Sequence, residues 1–253
     1  MKQMPTKLLS EKALSVIGQY MNFHIGGAVC SIPYYNNRHL RARAKLKVQI
    51  GKGSPENIQD EVENTALLQK INLKAIDSVS LKKFLVENNI GIDCSGLAYY
   101  ILKSEYEHLK LSFPFQKGLL GKLRARFRPI ENADVATLAH DKNSMTIDLK
   151  NISQGDMITM LGGLENKDRD HVLLIHKVDY TDSTPSTIYY THTIAWPTDG
   201  EYGHGVRQGI IKITDLEKSL TEQEWIEVEK TAEENYTLLR ALKSKTEIRR
   251  LRL

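Results

Sequence analysis

The sequence predicts an α+β fold, and two contrasts in its patterning predict it. Helical periodicity fills the first half of the chain, whereas from Asp156 short apolar runs rich in β-branched residues alternate with turn residues. From Thr221 the pattern reads as helical again. Helices first, then a meander of strands, then a closing helix indicates N-terminal helices packed on an antiparallel β-sheet.

Each element has its own signal. Leu9, Ala13, Val16, Ile17 and Tyr20 recur at helical spacing, which predicts a helix over 6–22. Gly26–Tyr35 reads as a loop or short strand ending at Pro33. Ser54-Pro55 opens a second helix, with serine as cap and proline in the first turn, running to about Lys70. A short helix is expected over 79–88, and another from Cys94 to about His108 after the break at Gly91-Ile92-Asp93. Residues 109–150 have weak periodicity and read as an irregular insertion. Strands are expected at Met157–Met160, Val172–Val178, Ile188–Ala195 and Val206–Ile213, bounded by Gly162-Gly163, by Asp182-Ser183-Thr184-Pro185 and by Pro197–Gly200. Thr221 and Glu224 stand in capping-box spacing, so 221–253 reads as a C-terminal helical extension. One domain over 1–253 is expected, with 36–75 and 109–150 as insertions, since neither has the length or periodicity for its own core.

The 253 residues are 41% hydrophobic, enough to bury a core, and the net charge of +4 names no partner. Three stretches are basic: 38–52 with Arg38, Arg41, Arg43, Lys45, Lys47 and Lys52; a second with Lys117, Lys122, Arg124, Arg126 and Arg128; and the tail from Arg240 to Arg252. No RNA- or DNA-binding signature accompanies them, so they read as solvated faces; no specific nucleic-acid partner is expected, and an anionic wall polymer is the alternative contact. Lys7, Glu11 and Lys12 interrupt the N-terminus, which lacks the apolar core of a signal peptide. No apolar run reaches the roughly 18 residues of a membrane span. The expected location is therefore cytoplasmic as encoded, the alternatives being non-classical export or phage or toxin delivery.

The chemistry centres on Gly91-Ile92-Asp93-Cys94-Ser95-Gly96. A tight turn delivers Cys94 to the first turn of a helix, where unpaired N–H groups and the positive end of the dipole favour a thiolate. The same N–H groups can hold the oxyanion that thiolate attack creates. The plainer reading is a buried core cysteine, because cysteine is among the most buried residue types. A nucleophilic cysteine also needs a base and a group that orients the base. His171 opens one apolar run and His192 lies in the next, so the two can sit on neighbouring strands. Symmetric pairing of 180 with 187 would set His192 opposite Ile175 and His171 opposite Trp196; a bulge or asymmetric loop is then needed to join them. Asp199 and His204 are alternative orienting groups. The other cysteine, Cys30, reads as a small core residue, and a bridge to Cys94 would abolish the nucleophile. Asp168 and Asp170 read as solvated loop charges, and neither a metal nor a cofactor is expected.

Gly-Ile-Asp-Cys-Ser-Gly-Leu at 91–97 resembles the signature of the NlpC family of cell-wall cysteine peptidases. Gln154-Gly155-Asp156-Met157-Ile158 is similar to that family's Pro-Gly-Asp strand entry, and His171-Val172 to its histidine strand. Tyr190-Thr191-His192-Thr193 with Gly205-Val206 resembles the strand of its third residue, and Pro33-Tyr34 its Pro-Tyr. The resemblance implies a papain-like fold, a Cys94–His171–His192 site with Tyr34, Asp93 and Ser95 at the substrate or oxyanion, and hydrolysis of a γ-D-glutamyl–diamino-acid bond in peptidoglycan stem peptides. The chain departs from the family in that Tyr34 and Cys94 are 60 positions apart, and in Asn36-Asn37, where glycines are expected. Two other function classes remain: different acyl chemistry on the same scaffold (deamidase, transglutaminase-like enzyme or acyltransferase), and a non-catalytic binding module for wall peptides.

Overall fold

The structure is a computed structural model that describes residues 6–36, 47–107, 127–162, 170–227 and 235–253, together with Lys110 and Leu123. Arg38, Arg41, Arg43, Lys45, Lys117, Lys122, Arg124 and Arg126 of the basic stretches lie outside the described residues, as do Asn37, Gly163 and Asp168. In chain order the strands are β1 (Thr6–Leu8), β2 (Phe23–Ile25), β3 (Ala28–Cys30), β4 (Ser144–Thr146), β5 (Met157–Leu161), β6 (His171–Thr181), β7 (Thr184–Ile194), β8 (Gly205–Lys212), β9 (Glu224–Glu227) and β10 (Lys245–Leu251). The helices are α1 (Glu11–Met21), α2 (Pro55–Gln69), α3 (Ser78–Glu87), α4 (Cys94–Glu105), α5 (Pro129–Asn132), α6 (Val135–Leu138) and α7 (Tyr236–Leu242). The chain is thus mixed α+β with an antiparallel sheet. No helix among the described residues is long and apolar enough to cross a membrane.

Two compact units divide these elements. The first comprises Met1–Glu11, Glu105–His192 and Gln208–Leu253. It carries the sheet, ordered β4-β10-β5-β6-β7-β8-β9, with β1 also on β6. Ile158 and Met160 of β5, Leu173 and Ile175 of β6, Ile188 and Tyr190 of β7, Trp225 of β9 and Ile248 of β10 share one buried cluster with Ala241 of α7. Alternation along each strand sends these residues to one face.

Three parts of this unit differ from the sequence expectation. Thr6–Leu8, expected to begin the first helix, forms β1, paired with Lys177, Val178 and Asp179 of β6. β5 pairs only with the first part of β6, through Leu174, and β1 occupies the rest of that edge. A free sheet edge gives these backbone groups partners, which outweighs helical periodicity in so short a segment.

The tail is not a helical extension. Ser219 and Glu222 form the capping box, around a single short turn, in place of Thr221 and Glu224. Glu224–Glu227 is a strand on β8, and Lys245–Leu251 is a strand between β4 and β5. The arginines of β10 made it read as a solvated basic face. Arg249 is instead buried against Ser144, Asp141 and Glu247. Arg250 makes a forked contact with Asp156 at 2.7 and 2.8 Å.

The third difference sets the site. The β6–β7 loop is Asp182-Ser183 alone, because Thr181 pairs with Thr184. Both loop residues have positive φ, 49° and 68°, as the favoured two-residue hairpin turn requires. Two bulges follow, with His176 extra on β6 and Ser186 extra on β7, and their offsets cancel. Leu174 therefore faces Thr191. Continuing that register by one residue puts His192 opposite Leu173, diagonal to His171, and Ile175 faces Tyr190 rather than His192.

The second unit comprises Lys12–Ser104 and Thr193–Arg207. It holds α1 from Lys12 onward, the β2–β3 hairpin and α2 to α4. Ser54 caps α2 as expected: its hydroxyl accepts from Asn57 N–H at 3.2 Å, Asn57 accepts from Ser54 N–H, and Pro55 fills the first turn. Helix α4 is buried on almost every side, from Cys94 through Leu97, Ala98 and Tyr99 to Ile101 and Leu102, the composition of a central helix.

Two expected outcomes follow from the first unit. A Cβ on Gly209 would lie 2.2 Å from Cζ and the hydroxyl of Tyr190, whose ring lies against β8 there. Gly209→Ala should destabilise by about 1–3 kcal/mol in urea unfolding. Tyr190→Leu removes the opposing atoms, so the double variant should lose less than the sum of the singles; strict additivity would show that no close approach exists.

The bulge residue His176 is buried with Nδ1 2.9 Å from Thr191 Oγ1, and its pKa is pushed down to about 4, by burial first and by Lys177 second. Between pH 4 and an unfolded value of about 6.5, the unfolded chain binds the proton that the native site refuses. The His176 contribution is complete above about pH 6.5 and is lost as pH falls toward 4, by about 3 kcal/mol. His176→Asn, whose amide oxygen can take the place of Nδ1, should flatten unfolding free energy against pH in this window. An unchanged slope would place the pH dependence elsewhere.

Candidate functional site

In the second unit the cysteine turn is built by threading 90–93 between two other segments. Ile92 N–H donates to Pro33 O at 3.0 Å and Ile92 O accepts from Tyr35 N–H at 3.1 Å. On the other side Asp93 N–H donates to Gly51 O at 2.9 Å. Gly91 is required by this threading: a Cβ there would lie 2.6 Å from both Pro33 O and Tyr35 Cβ. Tyr34 forms a parallel bridge with Ile92, which brings it beside the turn despite the separation of 60 positions from Cys94. His204 supports the same segment, its Nδ1 accepting from Tyr34 N–H at 3.1 Å, and burial lowers its pKa.

Cys94 then starts α4, buried and free of a disulfide. Asp93 is the cap: Oδ1 accepts from Gly96 N–H at 2.6 Å, and Asp93 O accepts from Leu97 N–H at 3.0 Å. The same Oδ1 accepts from the Ser95 hydroxyl at 3.0 Å and from Lys52 Nζ at 2.8 Å, and Lys52 also reaches Ser95 Oγ at 2.6 Å. The structure thus places the side chains of Asp93 and Ser95 in a buried cluster with Lys52 that holds the turn. Asp93 thus occupies the amides of Gly96 and Leu97, so these two do not face an anion at the helix start.

In the first unit His171 begins β6 and His192 lies near the end of β7. His171 Nε2 and His192 Nδ1 are 2.8 Å apart, and His192 Nε2 is 2.9 Å from Glu227 Oε1 on β9. The Tyr190 hydroxyl donates to the other Glu227 oxygen at 3.3 Å, and its ring meets His192 edge-on. Burial lowers the pKa of His171 well below the usual histidine value, with His192 and Arg240 adding to the effect. This environment favours the neutral ring, the form able to accept a proton.

The structure brings His171 and His192 together. The alternative orienting groups belong to the second unit, where Asp199 accepts from Trp196 N–H at 2.6 Å and from Arg207 at 2.7 Å, and His204 accepts from Tyr34 N–H. Asp170 accepts from Gly162 N–H at 3.0 Å. Cys30, expected in the core, is only half-buried at the end of β3, and burial pushes its thiol up to about 11. Among the described residues, no group of three or more His, Cys, Asp or Glu side chains is arranged to hold a metal ion.

Sequence reasoning missed Lys52 and Glu227. Lys52 falls within the basic stretch 38–52, and in the sequence only its place between Gly51 and Gly53 sets it apart. Glu227 falls in the stretch expected to be helical, and its strand is evident only from the pairing of β9 with β8.

Lys52→Met should cost about 3–5 kcal/mol in chemical denaturation, because it strands the Asp93 carboxylate in a buried turn. Adding Asp93→Asn removes the stranded charge while an amide oxygen still caps Gly96, so the double variant should recover part of the loss. A double variant no more stable than Lys52→Met would show that the charge is not what the lysine balances. Comparison with family models, with curated proteins and with solved structures gives no match to this chain.

Proposed function

We propose that the chain is a cysteine hydrolase of the NlpC type, with a papain-like fold, acting on γ-D-glutamyl–diamino-acid amide bonds in peptidoglycan stem peptides. The observation that carries this reading is the 2.8 Å contact between His171 Nε2 and His192 Nδ1, a base and its orienting group at strand positions matching the resemblance. The capped helix start at Cys94 supports it from the other unit, since that position suits a nucleophile and an oxyanion. The substrate class rests on the Asp-Cys-Ser-Gly block and the blocks that follow it in order.

In the proposed reaction His171 takes the Cys94 proton at Nδ1, because Nε2 is committed to His192. The thiolate adds to the amide carbon, and the oxyanion collapses as the amine leaves with the proton from His171. Water, deprotonated by His171, then releases the acyl group and regenerates the thiol.

Iodoacetamide should label Cys94 faster than Cys30 near neutral pH, because a thiol pushed up to about 11 supplies almost no thiolate. His171→Ala should slow Cys94 labelling near pH 7, and the gap should narrow at alkaline pH, where an unassisted thiol of pKa about 8.5 ionises anyway. His171→Ala should lower cleavage of a γ-glutamyl–diaminopimelate peptide by about a hundredfold or more. Cys94→Ala should abolish it, as followed by mass spectrometry of digested muropeptides. Labelling rates unchanged by His171→Ala across pH would remove the dyad. The expected labelling without cleavage of any wall peptide would keep the dyad and transfer the assignment to a deamidase, transglutaminase-like enzyme or acyltransferase.

A further inference from the structure

The contact pair His171–His192 does not end the chain of buried polar groups. We propose that Glu227 is a positioning residue that fixes which nitrogen of His171 carries its proton; this rests on the reading of His171 as the base. A carboxylate only accepts hydrogen bonds, whereas a neutral imidazole has one donor and one acceptor nitrogen. With His192 neutral and Glu227 as a carboxylate, the 2.9 Å contact to Oε1 assigns the proton of His192 to Nε2. His192 Nδ1 is then an acceptor, and the nitrogen facing it at 2.8 Å, His171 Nε2, must donate. That leaves the lone pair of His171 on Nδ1, the nitrogen from which a general base acts.

The reverse polarity would set a carboxylate against an imidazole lone pair at 2.9 Å. In this place no solvent compensates such a mismatch, since the side chains of His192 and Glu227 are 0% and 4% exposed. Glu227 is itself held: the Tyr190 hydroxyl takes its second oxygen, and Gly209, the β8 residue paired with Glu227, leaves the space that the Tyr190 ring occupies. When His171 takes a proton, the positive charge lies at one end of a relay whose other end is the carboxylate. The imidazolium is stabilised without a charged group beside the reacting atoms. Glu227 therefore acts through His192 and touches no substrate.

The test reads the tautomers directly. Long-range proton–nitrogen NMR of the full, uniformly nitrogen-labelled chain at about pH 8, well above the usual histidine range, reports which ring nitrogen is protonated. The expected result is Nε2–H for both His171 and His192. Glu227→Gln keeps the shape but presents either an acceptor or a donor, so His192 should become a mixture of tautomers and the Cys94 alkylation rate should fall by about tenfold or more. A structural role alone would shift the melting temperature and leave the tautomers in place. A wild-type spectrum with Nδ1–H on His171 overturns the proposal, and needs no variant to fold. Unchanged tautomers in Glu227→Gln overturn it as well. The catalytic reading fails on a different result, Cys94 labelling indifferent to His171→Ala, so the two failures are distinguishable.

Discussion

The tight turn at Asp182 and Ser183 is the constraint on which the histidine relay depends. Two residues in the left-handed region close β6 onto β7 and fix the offset of the pairing. The bulges at His176 and Ser186 disturb the ladder without changing that offset beyond them. A shift of a single residue would send His192 to the opposite face of the sheet, away from both His171 and Glu227. The two histidines are thus specified about ten residues from the turn that sets them, by hydrogen bonds between backbones that carry no chemistry of their own.

The two units solve the burial of polar groups differently. In the cysteine turn a lysine and an aspartate neutralise each other, and the serine hydroxyl and a helix amide fill the remaining valences. A buried ion pair of this kind adds little net stability over a well-packed apolar alternative, but it is expensive to break. What it supplies is definition: the turn before Cys94 has one arrangement in which all of these bonds are made at once. In the sheet, a neutral histidine is joined to a carboxylate through a second imidazole, and burial keeps the first ring uncharged.

Helices were legible wherever cap chemistry and periodicity agreed. Ser54-Pro55 opened α2, and the glycine break placed the start of α4 at Cys94. The four central strands were legible from β-branched runs between turn residues. Asp93 and Ser95 were singled out for the right turn, but their side chains face Lys52, a contact between residues more than forty positions apart. β1 and β10 were not legible, because their partners are edges formed by distant chain. Three residues on β6 decide that Thr6–Leu8 is a strand, and the distant carboxylates of Asp141 and Asp156 hold the arginines of β10 in the sheet. Local composition carries no trace of such neighbours. Glu227 shares this origin, since β9 exists through its pairing with β8.

The position of β10 has a consequence for the order in which the fold can be completed. It lies between β4 and β5, and Thr159 on β5 meets Glu247 on β10 across 88 positions of sequence. During synthesis β5 therefore emerges long before the strand that covers its outer edge. Until β10 arrives, β4 has no neighbour in the sheet and β5 presents open backbone groups, the kind of edge on which nascent chains associate wrongly. Pairings this remote also close late and slowly, because the loop entropy must be spent before any contact returns it. The strand that seals this edge leaves the ribosome after His171, His192 and Glu227, so a chain halted shortly before it would hold every residue of the relay on an unfinished scaffold.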